Sequence, residues 1–128
     1  PGRILGDIAT VHGKIYAAYK PPEEREAILA EPLTRRTPHT VMDRDVLAAE
    51  LDKVRGEDLA YDFEGYYLGI CAVGAPVRDQ FGSVVASISV VAPRGRFGPE
   101  ERARCARAVK KTVDSFSAYL GWTATARE

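Results

Sequence analysis

Two kinds of hydrophobic pattern alternate along the chain, and the first of them predicts a β-sheet. Residues 69–93, GICAVGAPVRDQFGSVVASISVVAP, are two apolar strands (69–78 and 83–92) joined at Asp79–Gly82, where an early Asp and a final Gly are typical of a turn. The run Leu59–Phe63 alternates in the same way and predicts a third strand beside them. We therefore expect three neighbouring antiparallel strands.

The second pattern is helical. Helices are predicted over Ala9–Lys20, Pro22–Glu31, Arg44–Arg55 and from about Pro99 to Leu120. Asp43 is a good N-cap for the third helix, and Gly56 and Gly121 supply C-terminal stops. The last helix carries one apolar stripe, formed by Ala106, Val109, Val113, Phe116 and Leu120. Helices, then strands, then a closing helix predict an α+β domain with an antiparallel sheet flanked by helices.

The predicted hairpin has one thick face and one thin face. If its loop has four residues, Arg78 pairs with Ser83, and this register decides which side chains share a face. The thick face carries Cys71, Val73, Ala75, Val77, Val84, Ala86, Ile88 and Val90. The thin face carries Ile70, Ala72, Gly74, Pro76, Val85, Ser87, Ser89 and Val91. The thin face is suited to be the floor of a small-molecule site, or to be covered by water or a neighbouring chain.

Composition and charge exclude several classes of protein. The 128 residues suffice for one domain, and 45% apolar with 28% charged residues is typical of a soluble globular protein. Eighteen basic and eighteen acidic residues cancel, so no net field attracts nucleic acid or an anionic membrane. No apolar run approaches the roughly 20 residues of a membrane span. Two cysteines, Cys71 and Cys105, are too few for a disulfide framework, so we expect a cytoplasmic protein.

Catalytic and cofactor motifs are missing from the sequence. Lys14 is followed by Ile15 rather than by the Ser or Thr of a phosphate-binding loop, and no Gly-rich dinucleotide motif or metal-ligand spacing occurs. No cofactor and no metal are therefore predicted. The enzymatic alternative that remains is a small enzyme with His12 as base and Cys71 as nucleophile.

Binding chemistry is better represented. Asp62 lies in an aromatic segment next to the thin face, a setting that suits a polar anchor in a ligand pocket. Ser87 and Ser89 add two hydroxyls, and we expect all three side chains to converge on one hollow. Each has a purely structural alternative: a solvated strand-end carboxylate for Asp62, an exposed strand face for the serines, and a helix-surface position for His12.

Three segments of the chain resemble the effector-binding domain of IclR-family transcriptional regulators. ATVHGKIYAAYKPPEEREAILAE resembles its Gly-Lys segment and following helix, and LTRRTPHTVMDRDVLAAELDKVR its Thr-x-x-Thr-x-x-Asp linker and helix. LAYDFEGYYLGICAVGAPVRDQFGSVVASISVVAP resembles its acidic segment and Gly-x-x-x-x-x-Ala-Pro-Val run. The resemblance implies a partial, GAF-like effector domain over residues 1–121, a tail over 122–128, and a winged helix-turn-helix DNA reader that is absent from this chain.

The resemblance also implies a pocket for a small, usually anionic metabolite. It places this pocket at Asp62, Ser89, Ala72, Val91, Val11 and His12. Val91 departs from the family by lacking a second hydroxyl, and Val11 with His12 replaces a small pair, which narrows the pocket and adds an imidazole. Of these residues, Ala72, Ser89 and Val91 lie with Ser87 on the predicted thin face.

The predicted function is therefore that of a ligand sensor. It binds a small organic acid, with a hydroxylated aromatic acid as the favoured class, and acts as a homo-oligomer, a dimer or tetramer, that controls DNA binding allosterically through the absent domain. No membrane contact is predicted. Two alternatives stay open, the enzyme that uses His12 and Cys71 and a GAF-like interaction module that binds no ligand.

Overall fold

The computed structural model describes residues 7–122, which form helices on both faces of one sheet. The elements are α1 Val11–Ala18, α2 Pro22–Ala30, α3 Arg44–Glu57, β1 Ala60–Phe63, β2 Ile70–Arg78, β3 Val84–Pro93, a 3₁₀ turn Arg94–Arg96, and α4 Pro99–Tyr119. The strands are antiparallel in the order β1-β2-β3, so the predicted α+β architecture is confirmed. Within residues 7–122, no helix has the length and apolar character needed to cross a bilayer.

The sheet separates two apolar clusters. On the face predicted to be thick, α4 packs on β2, and the cluster consists of Cys71, Val73, Ala75, Val77, Phe97, Ala106, Val109 and Val113. On the other face, α1 lies between the sheet and α3, and the cluster consists of Val11, Ile15, Ala17, Ala18, Leu29, Leu47, Leu51, Val54, Ala60 and Ala72. The predicted separation of the two sheet faces is confirmed, since Ile88 packs against the α4 cluster while Ser89 faces α1.

The hairpin register differs from the predicted one by two residues. Val77 pairs with Ala86 and Arg78 with Val84, because the ladder is irregular between Val77 and Arg78. The Asp79 carboxylate accepts hydrogen bonds from two backbone N–H groups of the loop, which tightens the turn. A shift of two residues leaves side chains on their predicted faces, since strand alternation has a period of two. The irregularity moves only Val84, which packs against the α1 cluster instead of under α4.

The predicted stripe of α4 is correct at Ala106, Val109 and Val113 and wrong at its end. Phe116 is 54% exposed and Leu120 is 40% exposed. Ser117 is buried instead, and its hydroxyl accepts a hydrogen bond of 2.9 Å from the backbone N–H of Arg78. Gly121 ends the helix in the left-handed region, with φ of 99°, as predicted. Helix α3 runs past the predicted stop at Gly56 and ends at Glu57. Asp58 is its C-cap, with φ of 55°.

Helix α1 fills much of the thin face. A Cβ atom at Gly74 would lie 3.0 Å from Cγ2 of Val11, so the missing side chain at Gly74 is what lets α1 approach β2. The small residues of β2 therefore accommodate a helix of the same chain. This corrects the expectation that the thin face is the floor of a small-molecule site, because α1 covers it at Gly74. Open space remains on either side of α1.

Candidate functional site

His12 contacts both predicted serines. Its Nδ1 lies 2.5 Å from Oγ of Ser87, and its Nε2 lies 3.1 Å from Oγ of Ser89. The two serines are two residues apart on β3 and face the same side, so one imidazole bridges them. Burial lowers the pKa of His12 below its ordinary value, because the charged imidazolium loses water there. His12 is thus a half-buried, hydrogen-bonded group rather than a free surface histidine.

Asp62 lies on the opposite side of α1. Its Oδ1 accepts a hydrogen bond of 2.7 Å from the backbone N–H of Gly65, which fixes the connection after β1. Only 7% of the residue is exposed. Burial raises the pKa of Asp62, and the Gly65 N–H and the Lys14 ammonium oppose that rise. The predicted convergence of Asp62 with the serines on one hollow is wrong, because α1 packs over β2 between them.

The two sides of α1 hold two separate cavities. The one beside β3, which we call the edge cavity, has a volume of about 1140 Å³ and is bordered by α1, α3, the end of β2 and β3. Its walls include His12, Tyr16, Lys20, Arg55, Arg78 and Ser87. The described residues that line it include three cations, Lys20, Arg55 and Arg78, and one carboxylate, Glu24. Arg78 is paired with the Asp58 carboxylate, so it is Lys20 and Arg55 that make the potential of the cavity favour an anion.

The cavity on the β1 side, which we call the linker cavity, has the opposite character. Its volume is about 650 Å³, and it lies between α1, α3, β1 and the segment 31–41. The described carboxylates that line it are Asp7, Glu31, Glu50 and Asp62. Lys14 and Arg36 face the same space, but each is already bound to one of these carboxylates, at 2.9 Å to Glu50 and 2.8 Å to Asp7. An acidic ligand is disfavoured there.

The motifs that carry the family resemblance have structural tasks in this region. Lys14 donates hydrogen bonds to Glu50 and to the backbone carbonyl of Tyr61, tying α1 to α3 and β1. Thr37 and Thr40 donate from their hydroxyls to the backbone carbonyls of Glu64 and Gly65. The Thr-x-x-Thr segment therefore holds the β1–β2 connection in place, which the sequence pattern did not reveal.

Sequence reasoning missed a cluster of three polar side chains, Tyr19, Asp58 and Arg78, at the end of the edge cavity. Arg78 donates to the Asp58 carboxylate at 3.1 and 3.2 Å, and the Tyr19 hydroxyl donates to the same carboxylate at 2.5 Å. Burial and the neighbouring Asp58 raise the pKa of Tyr19 above its ordinary value, so Tyr19 remains a neutral donor. Residues 19, 58 and 78 are too distant in sequence for spacing to connect them.

The other predicted site residues take different positions. Val11 of α1 and Ala72 of β2 are core residues, and Val91 is 61% exposed. Cys71 lies on the α4 face of the sheet, so the predicted pairing of Cys71 with His12 is wrong. Burial also raises the pKa of the Cys71 thiol, which disfavours a thiolate nucleophile. Within residues 7–122, no group of His, Cys, Asp and Glu side chains is arranged to hold a metal ion.

Comparison with known proteins identifies the family. The family described as "Bacterial transcriptional regulator IclR C-terminal" matches residues 2–118. The chain belongs to this family. The HTH-type transcriptional regulator Rv1719 of Mycobacterium tuberculosis is 38% identical to it over 112 residues, which are 88% of this chain and 42% of that protein. The HTH-type transcriptional repressor AllR of Klebsiella pneumoniae is 34% identical over 110 residues, 85% of this chain and 40% of that protein.

A solved IclR structure has the same fold. The crystal structure of Thermotoga maritima IclR superposes with a TM-score of 0.82 at 31% identity, covering 90% of this chain and 47% of that one. This IclR-type domain thus spans less than half the length of the curated relatives it matches. Both of those relatives are named as transcriptional regulators or repressors, which is a non-enzymatic role.

Proposed function

We propose that this IclR-type domain is an effector sensor that binds a small organic acid in the edge cavity. The observation that carries the proposal is the charge of that cavity beside the predicted site residues His12 and Ser87. Lys20 and Arg55 outnumber the single described carboxylate Glu24 on its walls, while Arg78 is paired with Asp58. A carboxylate that enters meets a positive potential and two polar groups. In the linker cavity the same carboxylate would lie near four carboxylate side chains of the domain.

The walls favour an acid with a flat apolar part. Tyr16 and Tyr19 border the edge cavity together with Val84 and Val85 of β3, and Val85 is 54% exposed. These groups suit an aromatic ring, whose faces pack on side chains of this kind. A ring hydroxyl has Glu24 as an acceptor on the same walls. We keep a hydroxylated aromatic acid as the ligand class, held by His12 and Ser87 rather than by Asp62 and Ser89.

The signal to DNA then passes through parts outside this chain. We propose that residues 1–121 act as the sensor of a cytoplasmic homo-oligomer, a dimer or tetramer, whose DNA-binding domains are rearranged when the acid binds. For such coupling the acid must bind one arrangement of subunits more tightly than the other. The family assignment and the regulatory names of the relatives support this reading.

A pair of ligands that differ in charge tests the proposal. We expect 3-hydroxybenzoate to raise the melting temperature, whereas 3-hydroxybenzyl alcohol, which lacks the carboxylate, gives a smaller shift. Lys20→Gln should weaken binding of the acid about fivefold, the effect of roughly 1 kcal/mol for a charge near the protein surface. Arg36→Gln, which removes a cation from the linker cavity, is the matched control and should leave the affinity unchanged. Equal shifts with both ligands would contradict the proposal.

A further inference from the structure

The bridge between His12 and the two serines couples hydroxyl orientation to protonation. A neutral imidazole has one N–H donor and one bare nitrogen acceptor. Nδ1 contacts Ser87 and Nε2 contacts Ser89, so the hydroxyl of one of the two serines must donate a hydrogen bond to the bare nitrogen. An imidazolium instead donates through both nitrogens, and both serine hydroxyl protons become free to turn elsewhere. Ser87 is the serine that lines the edge cavity.

The surroundings of His12 decide when it is charged. The charged or titratable groups that line the cavity are Tyr16 of α1, Tyr19 and Lys20 just after α1, Glu24 of α2, Arg55 of α3 and Arg78 of β2, which is paired with Asp58. The segment Val84–Pro93 contributes no charged side chain. Burial opposes a positive charge on the imidazole in the empty cavity. An incoming carboxylate reverses that balance, since it brings a negative charge beside the ring.

We propose that the neutral His12 ring carries its proton on Nε2 and accepts from Ser87 through Nδ1, and that the acid and a proton bind together. When the carboxylate enters the edge cavity, His12 takes up a proton from the solvent on Nδ1, and Ser87 turns its freed hydroxyl towards the carboxylate. This inference rests on the proposed function and adds a regulatory property to it. The proton comes from the buffer and ends on the imidazole nitrogen that had accepted from a serine. The neutral His12–serine bridge thereby becomes a charge-assisted anion site only when an anion is present.

The direction of the pH dependence follows from the two pKa values of His12. The carboxylate raises the pKa of His12 in the complex above its value in the free domain, so affinity increases as the pH falls through the pKa of the complex. The gain levels off below the pKa of the free domain. If the acid raises this pKa by about one unit, it binds about two- to sixfold more tightly near pH 6 than near pH 8.

Calorimetry measures the proton directly. The chain is titrated with 3-hydroxybenzoate at about pH 7 in Bis-Tris and in Tris, two cationic buffers that do not compete with an acid and that differ in ionisation enthalpy. We expect the observed enthalpy to depend on the buffer in the sense of net proton uptake. His12→Gln should abolish that dependence and weaken binding. The chain has two histidines, so His39→Gln is the matched control and should retain the uptake.

The outcomes separate this inference from the proposed function. Binding with an enthalpy independent of the buffer would overturn proton coupling and leave the acid sensor standing. Absence of binding in both buffers would overturn the acid sensor and the coupling together. If His12→Gln fails to fold, an NMR titration of the His12 ring in the unaltered chain replaces it. The ring pKa must then rise when the acid is added, and an unchanged pKa overturns the coupling.

Discussion

At the scale of single residues, the chemistry of the site depends on contacts that no sequence pattern contains. The faces of Ser87 and Ser89 could be predicted, because strand alternation survives a register shift of two residues. Their partner could not be predicted, since His12 lies 75 residues from Ser87 in sequence. The same limit applies to Asp62, which suited a ligand pocket by its neighbours but fixes the chain at Gly65.

The first prediction concerns Ser87. Ser87→Ala removes the nearer partner of His12 and should weaken binding of 3-hydroxybenzoate about 5- to 150-fold, the effect of roughly 1–3 kcal/mol for a lost buried hydrogen-bonding partner. Asp62→Asn should leave the affinity unchanged, because Asp62 borders the other cavity. Titration calorimetry on both variants measures the difference. A larger loss for Asp62→Asn than for Ser87→Ala would contradict the assignment of the edge cavity.

The second prediction concerns the glycine of the Gly-Lys segment. A Cβ at Gly13 would lie 1.8 Å from the carbonyl oxygen of Asp7, so Gly13→Ala forces the backbone apart and should lower the free energy of unfolding by about 1–3 kcal/mol. Gly56 has open space around it in α3, and Gly56→Ala should stabilise the domain by about 0.5–1 kcal/mol. Urea denaturation compares the two. A neutral or stabilising effect of Gly13→Ala would show that Gly13 is not sterically required.

At the scale of elements, the starts of α2, α3 and α4 were predicted, whereas α1 begins at Val11 rather than Ala9 and α3 ends beyond its predicted stop. Asp43 caps α3 as predicted, and its carboxylate accepts hydrogen bonds from the N–H groups of Asp45 and Val46. The end of α3 moved past Gly56 to Asp58, whose carboxylate is bound by Arg78 and Tyr19. Local propensity favoured a stop at the glycine, whereas the tertiary contacts of Asp58 extended the helix.

The third prediction tests the cap of α3. Asp43→Ala leaves two backbone N–H groups of the first turn without their acceptor and should lower the free energy of unfolding by about 0.5–2 kcal/mol. Asp45→Ala removes the same charge from the same turn without removing a cap, so it should cost less. Chemical denaturation at neutral pH measures both changes. Equal losses would show that charge rather than capping matters at Asp43.

At the scale of the whole molecule, a net charge of zero conceals two cavities of opposite sign on either side of α1. The cations of the edge cavity come from residues 20, 55 and 78, and the carboxylates of the linker cavity from residues 7, 31, 50 and 62. Only the fold brings each set together. The sequence could indicate a sheet face with room over it, but it could not show that α1 divides that face in two.

The fourth prediction concerns the stability of the fold against pH. The folded-state pKa of Asp62 is raised, so ionised Asp62 is less favourable in the folded than in the unfolded chain, and its contribution to stability falls as the pH rises through that pKa. Asp62→Asn keeps an oxygen for the Gly65 N–H and removes the charge. We expect it to stabilise the domain at neutral pH, with a smaller gain in acid. Destabilisation at neutral pH would show that the charge is needed by Lys14.

The central claim, that an acid binds in the edge cavity, is tested most directly by mapping NMR chemical-shift changes while 3-hydroxybenzoate is added to the isotope-labelled chain. Our account predicts that the largest backbone amide shifts occur at Ser87, Val85, Lys20 and Arg55, together with a shift of the His12 ring. Amides around Asp62, Thr34 and Val41, which border the linker cavity, should stay in place. Shifts concentrated at those residues, or saturable binding without changes at the edge cavity, would contradict it.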